Sequence, residues 1–196
     1  MKHYEVVKIS DFISWNQIPK ISEFDFGEFP FTQFSAYYDN EFFHFRFEVS
    51  TKEALVFIKE NNKIEVLQSE RVEIFFRKDE KMQPYYCLEI DANGRLFDYK
   101  ANFHREFEYN WNFPEKLKIK SEKIENSYSI ESKISLKTLI ELNLLSGNKM
   151  QVGLFRAQCI EIKEDKASFR WHSWIKANTE KPDFHIPEVF GTFLFV

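Results

Sequence analysis

Two carboxylates on predicted strands are the residues of this chain whose types best suit acid–base chemistry. Glu73 lies within Val72-Glu73-Ile74-Phe75, and Glu89 lies near the end of a second apolar run. Two carboxyl groups can hydrolyse a glycosidic bond, but they converge only in three dimensions. Alternation places Glu89 on the same face of its strand as Cys87 and Tyr85. Because isolated carboxylates on strands are usually solvated or ion-paired, we expect a binding role and no catalytic residue.

Other motifs of catalysis or metal binding are missing from the sequence. The five histidines form no His-x-x-x-His or His-Glu-x-x-His pattern, and no Gly-x-Ser-x-Gly marks a nucleophilic serine. Only five glycines occur in 196 residues, which excludes a glycine-rich loop around a phosphate. Cys87 and Cys159 have no neighbouring His or Cys at metal spacing, and we expect both to be small buried apolar residues.

Charge and composition limit the partners. A formal net charge of -4 argues against nucleic acid, which requires a concentrated basic face. No apolar run approaches the roughly 18 residues of a membrane span, so no membrane partner is expected. The first ten residues lack the apolar core of a signal peptide, which predicts a cytoplasmic protein. Most of the 23 phenylalanines are expected in the core.

Apolar residues that alternate with polar ones predict many short strands. The clearest strand runs from Glu41 to Val49, where Phe43, Phe45 and Phe47 share one face. The Asn93-Gly94 pair predicts a hairpin turn, and Ser135 is the predicted N-cap of a single helix that extends to Leu142. Further strands are predicted at residues 71–76, 85–90, 95–99, 117–124, 128–134, 150–160, 167–174 and 190–196.

Many strands with one short helix are typical of an all-β fold, which we predict to be a two-sheet antiparallel β-sandwich. A chain of 196 residues suits a single domain over residues 1–196. Binding residues of such folds tend to lie on loops. The candidate loops surround residues 61–63, 78–83, 101–113 and 176–181.

A stretch near the C-terminus carries a family resemblance. Trp171-His172-Ser173-Trp174 precedes a loop with Pro182-Asp183-Phe184-His185 and a final strand that begins Phe190-Gly191. This order resembles the C-terminal signature of the carbohydrate-binding module family 9-like domains. Earlier pieces match in the same order, namely residues 11–15, 36–41, 72–75, 85–94, 134–139 and 152–156. The resemblance implies a jelly-roll or immunoglobulin-like sandwich that binds a sugar without catalysis.

The resemblance also implies where a sugar would bind. Family members hold a terminal glucose or xylose unit between two tryptophans, while an arginine, a glutamate and amides bind its hydroxyls. The two tryptophan positions fall on Leu67 and Phe184 in this chain, and the arginine position falls near Cys87. Glu73 keeps the glutamate.

Because these positions differ, we expect a shifted site for a mono- or oligosaccharide of the glucose or xylose type. The candidate carbohydrate-binding residues are Glu73, Arg156, Trp171, Trp174, Phe184 and His185. In the alternative interpretation the sugar pocket is lost. Trp174 and Phe184 then anchor the core or a loop, and Arg156 forms a partly buried ion pair with Glu73.

Two further properties stay open. A protein partner would be favoured if Phe42, Phe103, Phe107, Tyr109 and Trp111 formed one exposed patch. The family is often associated with calcium, and the best oxygen clusters are residues 39–41 and Asp91 with Asn93. Both clusters are explained more simply as turns, so no cofactor is expected apart from an optional structural calcium ion.

Overall fold

The computed structural model describes residues 2–11, 14–24 and 31–196, and nearly all of their regular structure is β. One short helix, α1 (Leu136–Glu141), accompanies fourteen strands in the described ranges. In chain order these strands are β1 (His3–Lys8), β2 (Lys20–Ile21), β3 (Thr32–Tyr38), β4 (Phe42–Ser50), β5 (Arg71–Arg77), β6 (Tyr85–Asp91), β7 (Leu96–Asn102), β8 (Glu106–Glu108), β9 (Lys120–Ile124), β10 (Ser127–Ser135), β11 (Leu145–Ser146), β12 (Lys149–Lys163), β13 (Lys166–Ser173) and β14 (Gly191–Phe195).

One continuous path of hydrogen-bonded neighbours connects most of these strands, in the order β8-β7-β6-β5-β12-β14-β1-β3-β4-β10-β9. The first four residues of β1 pair with β14, and its last two residues, Val7 and Lys8, pair with β3. The all-β class is therefore confirmed, whereas the division into two sheets of jelly-roll or immunoglobulin-like type stays a prediction.

No helix in the described part of the chain is long and apolar enough to cross a membrane.

Side chains that point alternately into and out of the protein along the strands build the main core. Phe43, Phe45 and Phe47 of β4 are fully buried, as predicted, while the residues between them are partly exposed. The same core takes Val72, Ile74 and Phe76 from one face of β5. Burial of each large apolar side chain contributes about 1.5–3 kcal/mol, so this shared face dominates the stability of the fold.

A second apolar cluster covers the opposite face of β5, β6 and β7. It contains Phe75, Cys87 and Tyr99 from these strands, together with Phe155 of β12. The segment that precedes β14 packs over it through Phe184, Val189 and Phe190. Every residue of β5 and β6 is consequently buried, which forces polar side chains on this face to find partners within the protein.

Several local predictions are confirmed. Gly94 adopts a φ of 81° in the turn between β6 and β7, a conformation that favours glycine. The hydroxyl of Ser135 accepts the backbone N–H of Thr138 at 3.1 Å and caps α1. Cys87 and Cys159 are both buried and free.

A buried ion pair lies on the core side of β12. Arg156 and Glu70 are both fully buried, and Nε of the arginine donates to Oε1 of the glutamate at 2.8 Å. Glu70 also accepts the Tyr128 hydroxyl at 3.2 Å and the Cys159 backbone N–H at 2.7 Å. The pair between Arg156 and Glu73 that belongs to the alternative interpretation is therefore wrong. Alternation explains the error, because neighbouring Phe155 takes the face that Glu73 shares.

Removing Arg156 should strongly destabilise the protein. We expect Arg156→Met to lower the free energy of unfolding by about 3–5 kcal/mol, because it leaves Glu70 buried without its cation. Urea unfolding measures this change. The double variant Arg156→Met/Glu70→Gln should recover part of the loss, and Lys137→Met, at a side chain that is 82% exposed, should cost less than about 0.5 kcal/mol. Equal losses in the single and double variants would contradict the assignment.

Candidate functional site

A pocket of about 230 Å³ opens on the face of β5, β6 and β7 that is turned away from the main core. Its floor consists of polar side chains at alternating positions of these three strands: Arg71 and Glu73 on β5, Glu89 on β6 and Tyr99 on β7. Adjacent strands place these groups side by side, since Glu73 and Glu89 are directly opposite in the antiparallel register.

Arg71 connects the two carboxyl groups of the floor. Its Nε atom lies 2.6 Å from Oε2 of Glu89 and 3.0 Å from Oε1 of Glu73. Its Nη1 atom donates to the Leu67 carbonyl at 3.1 Å, which fixes the plane of the guanidinium. The hydroxyl of Tyr99 donates to Oε1 of Glu89 at 2.9 Å. The floor is thus a connected network and not a set of independent side chains.

The charges of the floor are desolvated. Arg71, Glu73 and Glu89 are only 4%, 2% and 4% exposed. Burial, and next the negative charge of Glu89, raises the pKa of Glu73 to about 8, although Arg71 acts in the opposite direction. At neutral pH, Glu73 is therefore mostly protonated.

Aromatic rings from the C-terminal part of the chain form one wall. Trp171 of β13 meets Phe184 nearly edge to face, with ring centroids 5.6 Å apart. Phe184 in turn stacks on Phe155 at 4.2 Å and 15°. The guanidinium of Arg71 lies 5.5 Å from the Trp171 ring centroid, a cation–π contact that ties this wall to the floor.

The opposite wall comes from β8 and the residues that follow it. Phe107 and Tyr109 stack at 5.3 Å and 12°, and Tyr109 also contacts Phe97 of β7 at 5.5 Å. Tyr109 is 42% exposed, so one edge of this wall faces solvent. A ligand that enters the pocket would meet aromatic surfaces from two separate segments.

Charged and polar side chains occupy the rim. Asp183 accepts the Arg105 Nη2 atom at 2.9 Å and the His185 backbone N–H at 2.9 Å, which ties the two loops together. Nδ1 of His185 lies 3.0 Å from the Tyr85 hydroxyl. Burial, followed by the nearby Arg105, lowers the pKa of His185 to about 3, so the imidazole is neutral at physiological pH.

Four of the six predicted binding residues lie together in this pocket. Glu73, Trp171, Phe184 and His185 all line it, and Leu67, the position implied for a tryptophan, lies beside them. The structure does not bring Arg156 or Trp174 there. Trp174 is 3% exposed and packs against Phe193 in the main core, in agreement with the anchoring role of the alternative interpretation.

Sequence reasoning missed more than half of the lining residues. The missed residues of the floor and walls are Arg71, Glu89, Phe97, Tyr99, Arg105, Phe107 and Tyr109. The period-two pattern identifies Arg71, which lies two residues before Glu73 and therefore shares its face. The sequence indicates Glu89 only as a second carboxylate for hydrolysis. Arg105, Phe107 and Tyr109 belong to the predicted binding loop 101–113, but no local signal indicates that they face Glu73, because this loop reaches the pocket only through its tertiary packing.

The aromatic residues suggested for a protein partner do not form one patch. Trp111 packs against Tyr86 at 5.2 Å, next to the main core, whereas Phe107 lines the pocket. Phe42 lies elsewhere, under the ammonium group of Lys133 at 3.6 Å. The condition that would have favoured a protein-binding surface is not met by the described residues.

The two suggested calcium clusters serve as turns. Oδ1 of Asp39 accepts the backbone N–H groups of Glu41 and Phe42, each at 2.7 Å. Oδ1 of Asp91 likewise accepts those of Asn93 and Arg95, each at 2.9 Å. Residues 2–11, 14–24 and 31–196 contain no group of three or more His, Cys, Asp or Glu side chains that could hold a metal ion. A structural calcium ion stays a prediction.

Comparison with known families gives a match over most of the chain. A family described as carbohydrate family 9 binding domain-like matches residues 13–196. No curated protein is similar enough in sequence to count as a relative.

Solved structures share the fold at low sequence identity. A candidate carbohydrate-binding protein from Bacteroides uniformis superposes with a TM-score of 0.74 at 17% identity, over 100% of this chain and 99% of that chain. A carbohydrate binding module family 9 from Caldicellulosiruptor kristjanssonii, in complex with cellotriose, superposes with a TM-score of 0.65 at 14% identity, over 99% of this chain and 93% of that chain. The complex of such a module with glucose superposes with a TM-score of 0.59 at 13% identity, over 100% of this chain and 96% of that chain.

The neutral state of His185 should affect stability at mildly acidic pH. Unfolded histidine takes up a proton near pH 6.5, whereas folded His185 does so only near 3, so stability is lost as pH falls through this window. The slope is about 1 kcal/mol per pH unit. We expect His185→Asn to lose less stability than the wild type between pH 7 and 5, measured by urea unfolding. An exposed control, His3→Asn, should keep the wild-type slope. Parallel pH profiles for all three proteins would refute this assignment.

Proposed function

Because the chain belongs to the carbohydrate family 9 binding domain-like family, we propose that its pocket on β5, β6 and β7 binds a mono- or oligosaccharide of the glucose or xylose type. The observation that carries this proposal is the meeting of two aromatic walls over a polar floor in one pocket. We further propose that the domain binds the sugar without catalysing its cleavage.

Aromatic stacking supports the sugar as ligand. A pyranose ring has apolar C–H faces, and these pack on aromatic rings such as Trp171 on one wall and Tyr109 on the other. Each such contact is worth about 1 kcal/mol. The substitution of leucine at position 67 removes one family tryptophan, and the stacked pair of Phe107 and Tyr109 supplies an aromatic surface from another loop.

The polar groups of the pocket suit a rim of sugar hydroxyls. Hydroxyls act both as donors and as acceptors, so they need both kinds of partner. Arg71 and Arg105 supply donors, while Glu73, Glu89 and the hydroxyl of Tyr109 supply acceptors. Arg71 enters from β5, two residues before Glu73, and so provides a cation where the family arginine position is occupied by Cys87.

The carboxyl geometry supports binding over hydrolysis. Glycosidases place their two carboxyl groups about 5 Å or more apart, on either side of the bond that is cleaved. Here Glu73 and Glu89 contact the same Nε atom of Arg71 from adjacent strands. No sugar fits between groups that share one hydrogen-bond donor.

The ligands of the structural neighbours also support this choice. Cellotriose and glucose are bound by the module from Caldicellulosiruptor kristjanssonii. We therefore choose cellotriose, glucose and xylobiose as the first probes, each with and without calcium.

We likewise infer that the strand path folds as two facing sheets joined through β1. Side chains from strands that are not hydrogen-bonded neighbours meet in the main core, which supports this arrangement. The ring of Phe193 on β14 lies 6.2 Å from that of Phe43 on β4 and 5.6 Å from that of Phe34 on β3.

Trp171 should contribute directly to sugar affinity. We expect Trp171→Ala to weaken binding of cellotriose roughly tenfold, because it removes one stacking surface worth about 1–2 kcal/mol. Isothermal titration calorimetry measures the affinity. Trp15→Ala is the matched control, since Trp15 packs on Tyr37 away from the pocket and its removal should leave affinity unchanged. Unchanged affinity in Trp171→Ala would contradict the site, and absence of saturable binding by a folded wild type would favour a lost pocket.

A further inference from the structure

The carboxyl pair in the pocket floor lacks one cation. Arg71 is the sole cation in ion-pair contact with Glu73 or Glu89 among the described residues. All three side chains are at least 95% buried, so water does not compensate for a second negative charge. Two ionised carboxylates at directly opposite strand positions would repel each other with little screening.

Hydrogen bonding distinguishes the two carboxyl groups. Glu89 accepts two donors, the Arg71 Nε–H at 2.6 Å and the Tyr99 hydroxyl at 2.9 Å. Oε1 of Glu73 is buried and accepts no hydrogen bond from the residues the structure describes, although it lies 3.0 Å from the same Nε atom. That nitrogen carries a single hydrogen, and its geometry directs it to Glu89. Glu89 is therefore the carboxyl group whose two oxygens both receive donors, and the protonated form fits Glu73.

We propose that Glu73 and Glu89 hold one proton between them, donated by Glu73 to Glu89, and that this shared proton positions the floor of the pocket for sugar binding. With the proton present, the floor contains one cation, one anion and one neutral acid. When the proton is lost, two carboxylates compete for Arg71, and the floor separates. The sugar-binding part of this inference rests on the proposed function, whereas the shared proton does not.

Other titratable or charged groups face the pair from β6, β7, β8 and the two rim loops. They are Cys87, Tyr99, Arg105, Tyr109, Asp183 and His185. Burial raises the pKa of Cys87, Tyr99 and Tyr109, so these groups titrate at alkaline pH beyond the relevant window. Burial lowers the pKa of His185 to about 3, while backbone and side-chain hydrogen bonds lower that of Asp183 despite its burial.

In this proposal the protonated carboxyl pair is the form that binds sugar, and this sets the sign of the pH dependence. Because the pKa of Glu73 is raised from 4.5 to about 8, the proton is present at neutral pH and is lost as pH rises through about 8. Sugar affinity should be full below that pH and should fall above it. A carboxamide at position 73 keeps a donor to Glu89 at every pH, so Glu73→Gln should bind sugar without this dependence.

The first arm of the test observes the proton without any ligand. Carbon-13 NMR of labelled glutamate side-chain carboxyl groups, from pH 4 to 10, should show one signal with a midpoint near 8, and Glu73→Gln should remove it. Glu141→Gln, at an exposed position on α1, is the matched control and should keep this signal. The variant identifies which wild-type signal belongs to Glu73. If that signal has its midpoint in the ordinary carboxyl range in the wild type, the shared proton is overturned.

The second arm measures cellotriose affinity by calorimetry from pH 6 to 9.5. As pH rises over this range, the cellotriose affinity of the wild type and of Glu141→Gln should fall about tenfold or more. The affinity of Glu73→Gln should not change with pH. A flat wild-type profile, or an affinity of Glu73→Gln that falls with pH in parallel with the wild type, overturns the positioning role. Absence of saturable binding by all three proteins overturns the proposed function and this role with it, while the NMR arm still decides the shared proton.

Discussion

Burial of both faces of β5 and β6 is the constraint on which the fold and the pocket depend. One face of β5 contributes apolar side chains to the main core, and the other carries Arg71, Glu73 and Arg77 with only Phe75 between them. Charged side chains at buried positions require partners inside the protein. The partners come from the neighbouring strands, which explains why Glu89 and Tyr99 occupy the same face.

Two buried charged networks lie on opposite sides of this sheet, and they differ in how completely they are satisfied. Glu70 receives donors from Arg156, Tyr128 and the Cys159 backbone, and we infer a structural role for it. Glu73 has a neighbouring cation but accepts no hydrogen bond at Oε1 among the described residues. Glu73 lines an open, aromatic pocket and Glu70 does not, so we infer function at Glu73 and a structural role at Glu70.

Much of the fold was predictable because the period-two signal is local. Phe43, Phe45 and Phe47 identify their strand and its buried face, and Asn93-Gly94 identifies a turn. Strand β3 has buried residues on both faces and therefore shows no alternation. Strands β2 and β11 have two residues each, which is too few for any periodic signal.

The site was predictable only in part. Glu73 and Phe184 came from family positions, and both line the pocket. Arg156 ends the family-matched segment 152–156, but it lies on the core side of β12, on the face opposite to that of Phe155. Phe107 and Tyr109 belong to a loop whose path depends on contacts with β7 and with Asp183, and such contacts leave no trace in local sequence.

Tryptophan indole NMR would locate the sugar without any mutation. The four tryptophans, Trp15, Trp111, Trp171 and Trp174, give four indole N–H signals, of which only Trp171 belongs to the pocket. Addition of cellotriose to nitrogen-15 labelled protein should shift the Trp171 signal saturably and leave those of Trp15 and Trp174 in place. A saturable shift at Trp174 or Trp15 with no change at Trp171 would contradict a sugar site on the outer face of β5, β6 and β7.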